Sequence, residues 1–318
     1  MTSSPALPMN RLPPSILAFV LAFGLVSHSA AQSTPDGSAS QPLRVILIPA
    51  DGGTEDGTKA DFVPLFNAVT RSTGLHFDIR VGQSYGAVIE AMSNHLADVA
   101  FLGPVSYVQA RRRNAAELLA VAVENGESVY YAGIFVAADS EIAGIEDLRG
   151  RSAAFGDVNS ASSFTFQVAM LLDAGMDPAR DLGRIFMTGS HANSVKALAE
   201  GHVEAACLSF ESYEKAVREG AVDPSKIKVL AKSEPIPYPP LALHPATPEA
   251  MKARLKDAFH HVHQAEGVTP DMVRGYGGKR VDRFDSTFSE EEFAAAAGKL
   301  ALVTDEIKGE MLKRAAER

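Results

Sequence analysis

Cysteine occurs once in these 318 residues, as Cys207. An intrachain disulfide is therefore excluded, and the fold must rest on its apolar core. Cys207 lies in a short apolar run, the setting of a small buried hydrophobe. Basic tracts are lacking too: 30 Lys and Arg face 39 Asp and Glu, a formal charge of −9. Such an acidic chain is a poor partner for nucleic acid or an anionic membrane. If it binds an anion, local donors must do the work, because its overall field opposes that ligand. Long apolar runs are missing beyond the N-terminus, where Ile16 to Val26 is broken only by Gly24 and is short for a membrane span.

That run has the anatomy of an export signal over residues 1–31. Arg11 supplies the positive region, and Ser29-Ala30-Ala31 offers small residues before a cut ahead of Gln32. No cysteine follows to carry a lipid, so the processed chain is expected to be soluble in a periplasm. Residues 32–42, rich in Ser and Pro, read as a flexible leader.

From Leu43 the chain alternates. Leu43 to Ile48, Phe77 to Val81 and Val99 to Leu102 read as strands, with helices at Phe62 to Val69 and Ala87 to Met92 between them. Tyr130 to Ala137 reads as one long strand, after which the pattern restarts and runs to Leu230. Alternation of this kind predicts α/β layers, and two successive sets predict two lobes with a ligand cleft between them. Ser233 to Pro240 is too proline-rich for a helix or central strand and reads as a stiff return crossing. The helical segments from Thr247 onward are expected to pack on the first lobe. The expected division is 43–132 with 236–318 as lobe 1 and 133–235 as lobe 2.

The stretch from Phe155 to Phe164 is the one most suited to chemistry. A strand ends in Gly156-Asp157-Val158-Asn159 and hands the chain to a helix opening with Ser160, Ser162 and Ser163. Unpaired first-turn amides, the positive end of the helix dipole and serine hydroxyls together make a place for an oxyanion. An ordinary serine N-cap fits the same residues.

Four stretches, in order, resemble the periplasmic phosphonate/phosphite-binding proteins of ABC importers. They are Gly82 to Gly86 leading into Ile89-Glu90-Ala91-Met92, and Asp98 to Tyr107 with its Phe101-Leu102-Gly103-Pro104 centre. The third is Asp147 to Ser152 running into the serine turn, and the fourth Gly189-Ser190-His191 followed by Gly201 and Val203 to Ala206. The resemblance implies a two-lobed, clamshell, type II periplasmic binding protein that takes a small phosphorus oxyanion and hands it to an inner-membrane permease. Position by position, it implies ligand contacts from Tyr85, Tyr130, Ser160, the Ala161 amide, Ser162 and His191, with Glu211 facing an amine or a P–OH. A histidine beside a dianion is expected to carry a proton. Where several relatives have an aspartate in the return crossing, Pro239 stands here, and Ala161 replaces a threonine of some members. Both changes bear on which ligand is taken. No cofactor or metal is implied.

Plainer roles fit some of these residues. His191 and Glu211 suit a first helical turn, while Tyr85 and Tyr130 suit the core, Tyr131 competing with Tyr130 for the inward position. Neighbouring His260, His261 and His263 point in different directions on a helix and lack a completing carboxylate, so they do not form a zinc set. A sensor delivering its signal to a membrane kinase shares the clamshell, and Cys207 is the only thiol that arsenic recognition could use. A hydrolase triad of Ser160, His191 and Glu211 is disfavoured because the turn lacks a G-x-S-x-G elbow.

Overall fold

The computed structural model describes residues 1–2, 35–50 and 54–317. The expected export signal lies outside them, except for its first two residues. Residues 35–318 form one compact unit. Its strands are β1 (Leu43–Leu47), β2 (Phe77–Val81), β3 (Val99–Phe101), β4 (Glu117–Val123), β5 (Val129–Tyr130), β6 (Ala132–Ala137), β7 (Ser152–Phe155), β8 (Arg184–Met187), β9 (Ala205–Ser209), β10 (Ile227–Lys232), β11 (Ile236–Pro237), β12 (Leu241–Leu243) and β13 (Arg283–Asp285). Its helices are α1 (Glu55–Thr73), α2 (Tyr85–Ser93), α3 (Pro104–Arg112), α4 (Phe166–Asp173), α5 (Pro178–Asp181), α6 (His191–Ala199), α7 (Phe210–Arg218), α8 (Glu249–His261), α9 (Ala294–Leu302) and α10 (Asp305–Ala316).

The strands build a six-stranded sheet in the order β13-β4-β12-β3-β1-β2 and a five-stranded sheet in the order β10-β6-β9-β7-β8. Both are mixed. β1 runs parallel to β2 and β3, whereas β12 enters antiparallel between β3 and β4. β7 is parallel to β8 and β9, while β6 is antiparallel to β9 and β10. Alternating burial along Leu43, Val45 and Leu47 follows from the period of two of a strand. β9 (Ala-Ala-Cys-Leu-Ser) is buried on both faces, as helices on each side of a sheet require.

The expected single strand from Tyr130 to Ala137 is divided. β5 pairs with β11, and β6 joins the second sheet after Tyr131. The chain thus crosses between sheets at Tyr131 and returns through Ser233 to Pro240. The last helix also departs from expectation. Val303 and Met311 are buried in the core beneath the five-stranded sheet, with Phe164, Leu171 and Ile185. Arg314 donates to the carbonyls of Ala179, Leu182 (3.0 Å) and Gly183 (2.8 Å), so α10 packs on that sheet and not on the first. The apolar residues Ile307 and Met311, four apart, share a helix face and suit either surface. The carbonyls in and just after α5 give Arg314 its acceptors beside the five-stranded sheet.

Candidate functional site

The serine turn is built as its residues demand. A Cβ on Gly156 would fall on Ser163 Oγ and lie 2.8 Å from Ser163 Cβ, so only glycine lets the helix fold back over β7. Gly156 N–H donates to Ser163 O at 3.0 Å. Asp157 Oδ1 accepts from Asn159 N–H at 2.8 Å, closing the turn locally. Ser160 is an N-cap, its Oγ accepting from Ser163 N–H at 3.1 Å. The plain capping role is therefore real for Ser160, yet the hydroxyl still has its proton to donate.

The first helical turn, Ala161–Thr165, is a π-helix that continues into α4. Thr165 N–H reaches back five residues to Ser160 O, and Phe166 N–H does the same to Ala161 O. The amides of Ala161 and Ser162 precede any helical acceptor. π-turns widen a helix start and occur often at functional sites. Ser160 and Ser162 are each 2 % exposed, and Ser163 Oγ and Thr165 Oγ1 are buried without a hydrogen-bond partner. Gln167, which the sequence did not single out, holds this opening in place. Its Nε2 donates to Ser162 O at 2.6 Å and Gly133 O at 3.1 Å.

The turn is neither on an outer surface nor isolated from the first sheet. Ala161 and Phe166 pack into the core beneath the six-stranded sheet, while Phe164 and Val168 pack beneath the five-stranded one. Asp157 Oδ2 accepts from Tyr85 N–H at 3.2 Å, and Asn159 Oδ1 accepts from Gln109 Nε2 at 3.1 Å. Burial raises the Asp157 carboxyl above its usual range, and the bonds from Asn159 and from Tyr85 N–H oppose that. Tyr85 therefore meets the serine turn at the first residue of α2.

His191 opens α6 and is 1 % exposed. Its Nδ1 accepts from Ser209 N–H at 3.0 Å. A ring nitrogen that accepts carries no proton, so the neutral ring holds its hydrogen on Nε2. Nε2 is buried and has no protein partner. Burial pulls the pKa down to about 3. The proton was expected for a ring beside a bound dianion; in the protein alone a second proton on Nδ1 would face the Ser209 amide, and burial favours the neutral ring. His191 offers a neutral, aimed N–H.

Tyr130 is 2 % exposed and faces inward, whereas Tyr131 lies under Lys232, whose Nζ sits 3.6 Å from the ring centre. Tyr130 and His191 both stand edge-on to a tyrosine the sequence did not single out, Tyr276, with ring centres 5.8 and 6.0 Å away. The Tyr276 hydroxyl lies 3.1 Å from Ser212 Oγ and 3.4 Å from Ser209 Oγ. Ser209 caps α7, whose half-buried first-turn Glu211 lies between those two serines in sequence. Tyr238, next to Pro239 in the return crossing, accepts from Tyr276 N–H at 2.9 Å. The one signal pointing to Tyr276 was its setting in Gly275-Tyr276-Gly277-Gly278, where glycines let the backbone come close to its neighbours.

Further bonds join elements on the two sheets beside this cluster. Lys215 Nζ of α7 meets Asp61 Oδ2 of α1 at 2.6 Å, with both side chains buried. Arg218 donates to Gly277 O at 3.1 Å.

The family of ABC transporter phosphonate periplasmic substrate-binding proteins matches residues 53–286. The chain belongs to this family. Among its relatives, the phosphate-import protein PhnD of Mycolicibacterium smegmatis is 27 % identical over 252 residues, covering 76 % of this chain and 78 % of that one. The phosphonates-binding periplasmic protein of Escherichia coli is 24 % identical over 69 % of this chain, and the match spans 64 % of its own length. Among solved structures, a binding protein component of an ABC phosphonate transporter from Pseudomonas aeruginosa superposes with a TM-score of 0.69 at 20 % identity, covering 86 % of this chain and 99 % of that one. PhnD1 from Prochlorococcus marinus, in complex with methylphosphonate, gives 0.67 at 16 % identity over 82 % of this chain and 97 % of that one. The fold is accordingly the two-lobed type II periplasmic binding protein, and the family is one of substrate-binding proteins, not enzymes. Family membership implies export to the periplasm. Among the described residues, no helix is long and apolar enough to cross a membrane.

Proposed function

We propose that this protein captures a small phosphorus oxyanion in the periplasm and presents it to an ABC permease of the inner membrane. The observation that carries the reading is a set of buried donors that the protein itself leaves available, His191 Nε2 having no protein partner. It comprises the head of the π-turn at Ala161 and Ser162, the hydroxyls of Ser160 and Ser162, and the Nε2–H of His191. Directed N–H and O–H donors hold a phosphorus oxyanion through charge-assisted bonds, and their fixed positions replace the field an acidic chain lacks. To the buried Tyr85 and Tyr130 we assign an apolar flank, and to Glu211, half-buried in the first turn of α7, a protonated end of the ligand.

Two lobes shutting over the ligand account for the burial. We take residues 43–132 with 236–302 as one lobe and 133–235 with Val303 and α10 as the other, a revision of the expected boundaries that follows from the packing of Val303 and Met311. Ser160 and His191 each have an acceptor engaged by a backbone amide, an arrangement suited to positioning donors and not to a nucleophile–base pair.

Calorimetric titration of the processed protein with phosphate and methylphosphonate tests this reading. Ser162→Ala, which leaves the Ser160 cap in place, is expected to weaken binding about ten-fold, the worth of one charge-assisted bond. Titrations unchanged by Ser162→Ala and by His191→Ala together would remove the serine turn from the site.

A further inference from the structure

Resting on the anion site proposed above, we infer that Tyr276 walls off its far end and restricts the protein to phosphorus oxyanions without an extended substituent, of the size of phosphate or methylphosphonate. Two of the proposed ligand contacts, Tyr130 and His191, each present to the edge or face of this one ring, at 5.8 and 6.0 Å between centres. The phenol that neighbours both is 2 % exposed, and on this inference it occupies the place a substituent on phosphorus would need.

The ring is not free to swing away. Its backbone N–H donates to Tyr238 Oη, and its hydroxyl lies within reach of Ser209 and Ser212 at the head of α7. Phe101 backs it at 6.1 Å. The supporting turn is wedged as well. A Cβ at Gly275 would stand 2.7 Å from Tyr238 Oη, and one at Gly278 would stand 2.5 Å from Asp61 Oδ1. Gly277 and Gly278 have φ of 67° and 66°, so the turn has no alternative side chains to trade. A ligand arm of three or four heavy atoms would have to displace a ring held from four sides, and close-packed interiors resist such displacement.

The test is calorimetric titration and thermal shift of the processed full chain with inorganic phosphate, methylphosphonate, 2-aminoethylphosphonate and butylphosphonate. The wild type is expected to bind the first two at least ten-fold more tightly than the last two. Tyr276→Ala should close that gap by ten-fold or more, with the butyl and aminoethyl ligands both gaining. Tyr276→Phe, which keeps the ring and loses only the hydroxyl, should retain the gap. Wild-type affinity for butylphosphonate within three-fold of that for methylphosphonate overturns the inference, even if Tyr276→Ala does not fold. So does a gap that survives in a folded Tyr276→Ala. A wild type indifferent to all four ligands sinks the anion site itself and this inference with it, a result distinct from binding without discrimination, which removes the inference alone.

Discussion

The tautomer of His191 has a measurable consequence for stability. In the unfolded chain the imidazole titrates near its ordinary value of 6.5, whereas burial holds the folded group at about 3. Between those values the unfolded state binds a proton that the folded state refuses. Stability is therefore fully present above pH 6.5 and is lost as the pH falls toward 3. At pH 5 the loss works out at about 2 kcal/mol, from 1.36 kcal/mol for each pH unit below the unfolded pKa. The perturbation is His191→Gln, which keeps an N–H donor of similar reach and removes the titration. The assay is urea unfolding of both proteins without ligand at pH 8 and at pH 5. Carboxylates and the other histidines contribute alike to both, so the difference between the two pH dependences isolates His191. Wild type should lose about 2 kcal/mol more than the variant over that interval. Parallel losses would mean that the folded protein takes up the proton after all, and that the Ser209 amide does not hold Nδ1 as an acceptor.

Other outcomes follow from the same geometry. Gly156→Ala drives a methyl into Ser163 and should cost about 1–3 kcal/mol while abolishing anion binding, as read by melting temperature and titration; a variant that binds normally would disprove the close approach. Lys215→Met leaves the buried Asp61 carboxylate without its cation, a change that costs about 3–5 kcal/mol for a buried pair. Because the pair joins α1 to α7, the cost should appear as weakened ligand binding, and Asp61→Leu added to Lys215→Met should restore most of it. Equal affinities in the single and double variants would contradict this account. Cys207 is 1 % exposed, and burial pushes its thiol far above the usual range, so a disulfide reagent at pH 8 should label it only after denaturation. Prompt labelling of the folded protein would refute its inert placement.

The serine turn of the candidate site was legible because it is local. A strand ending at Phe155, a Gly-Asp-Val-Asn turn and serines opening a helix are chemically determined within ten residues, and the capping of Ser160 follows from that order alone. The α/β alternation was readable for the same reason, since periods of two and 3.6 are properties of consecutive residues. Tyr276 was not legible in this way. Nothing in Gly-Tyr-Gly-Gly says which aromatic neighbours surround it, because Tyr130 and His191 lie far away along the chain and meet it only through the fold. The protonation of His191 belongs to the same class, being set by a backbone amide 18 residues onward and by burial that no residue near it announces.

By itself the amino-acid order determined an acidic, disulfide-free α/β chain with an oxyanion-ready turn, since charge, thiol count and strand–turn–helix chemistry are all properties of short stretches. Only the tertiary structure decided where the chain crosses between sheets at Tyr131, why β12 inserts between β3 and β4, and which core receives α10. Each of those choices pits nearly equal apolar surfaces against one another, and the outcome turns on a few distant hydrogen bonds, such as those from Arg314 to the end of α5. The same reasoning applies to Tyr276, whose contacts with Tyr130 and His191 come from long-range packing and not from local pattern.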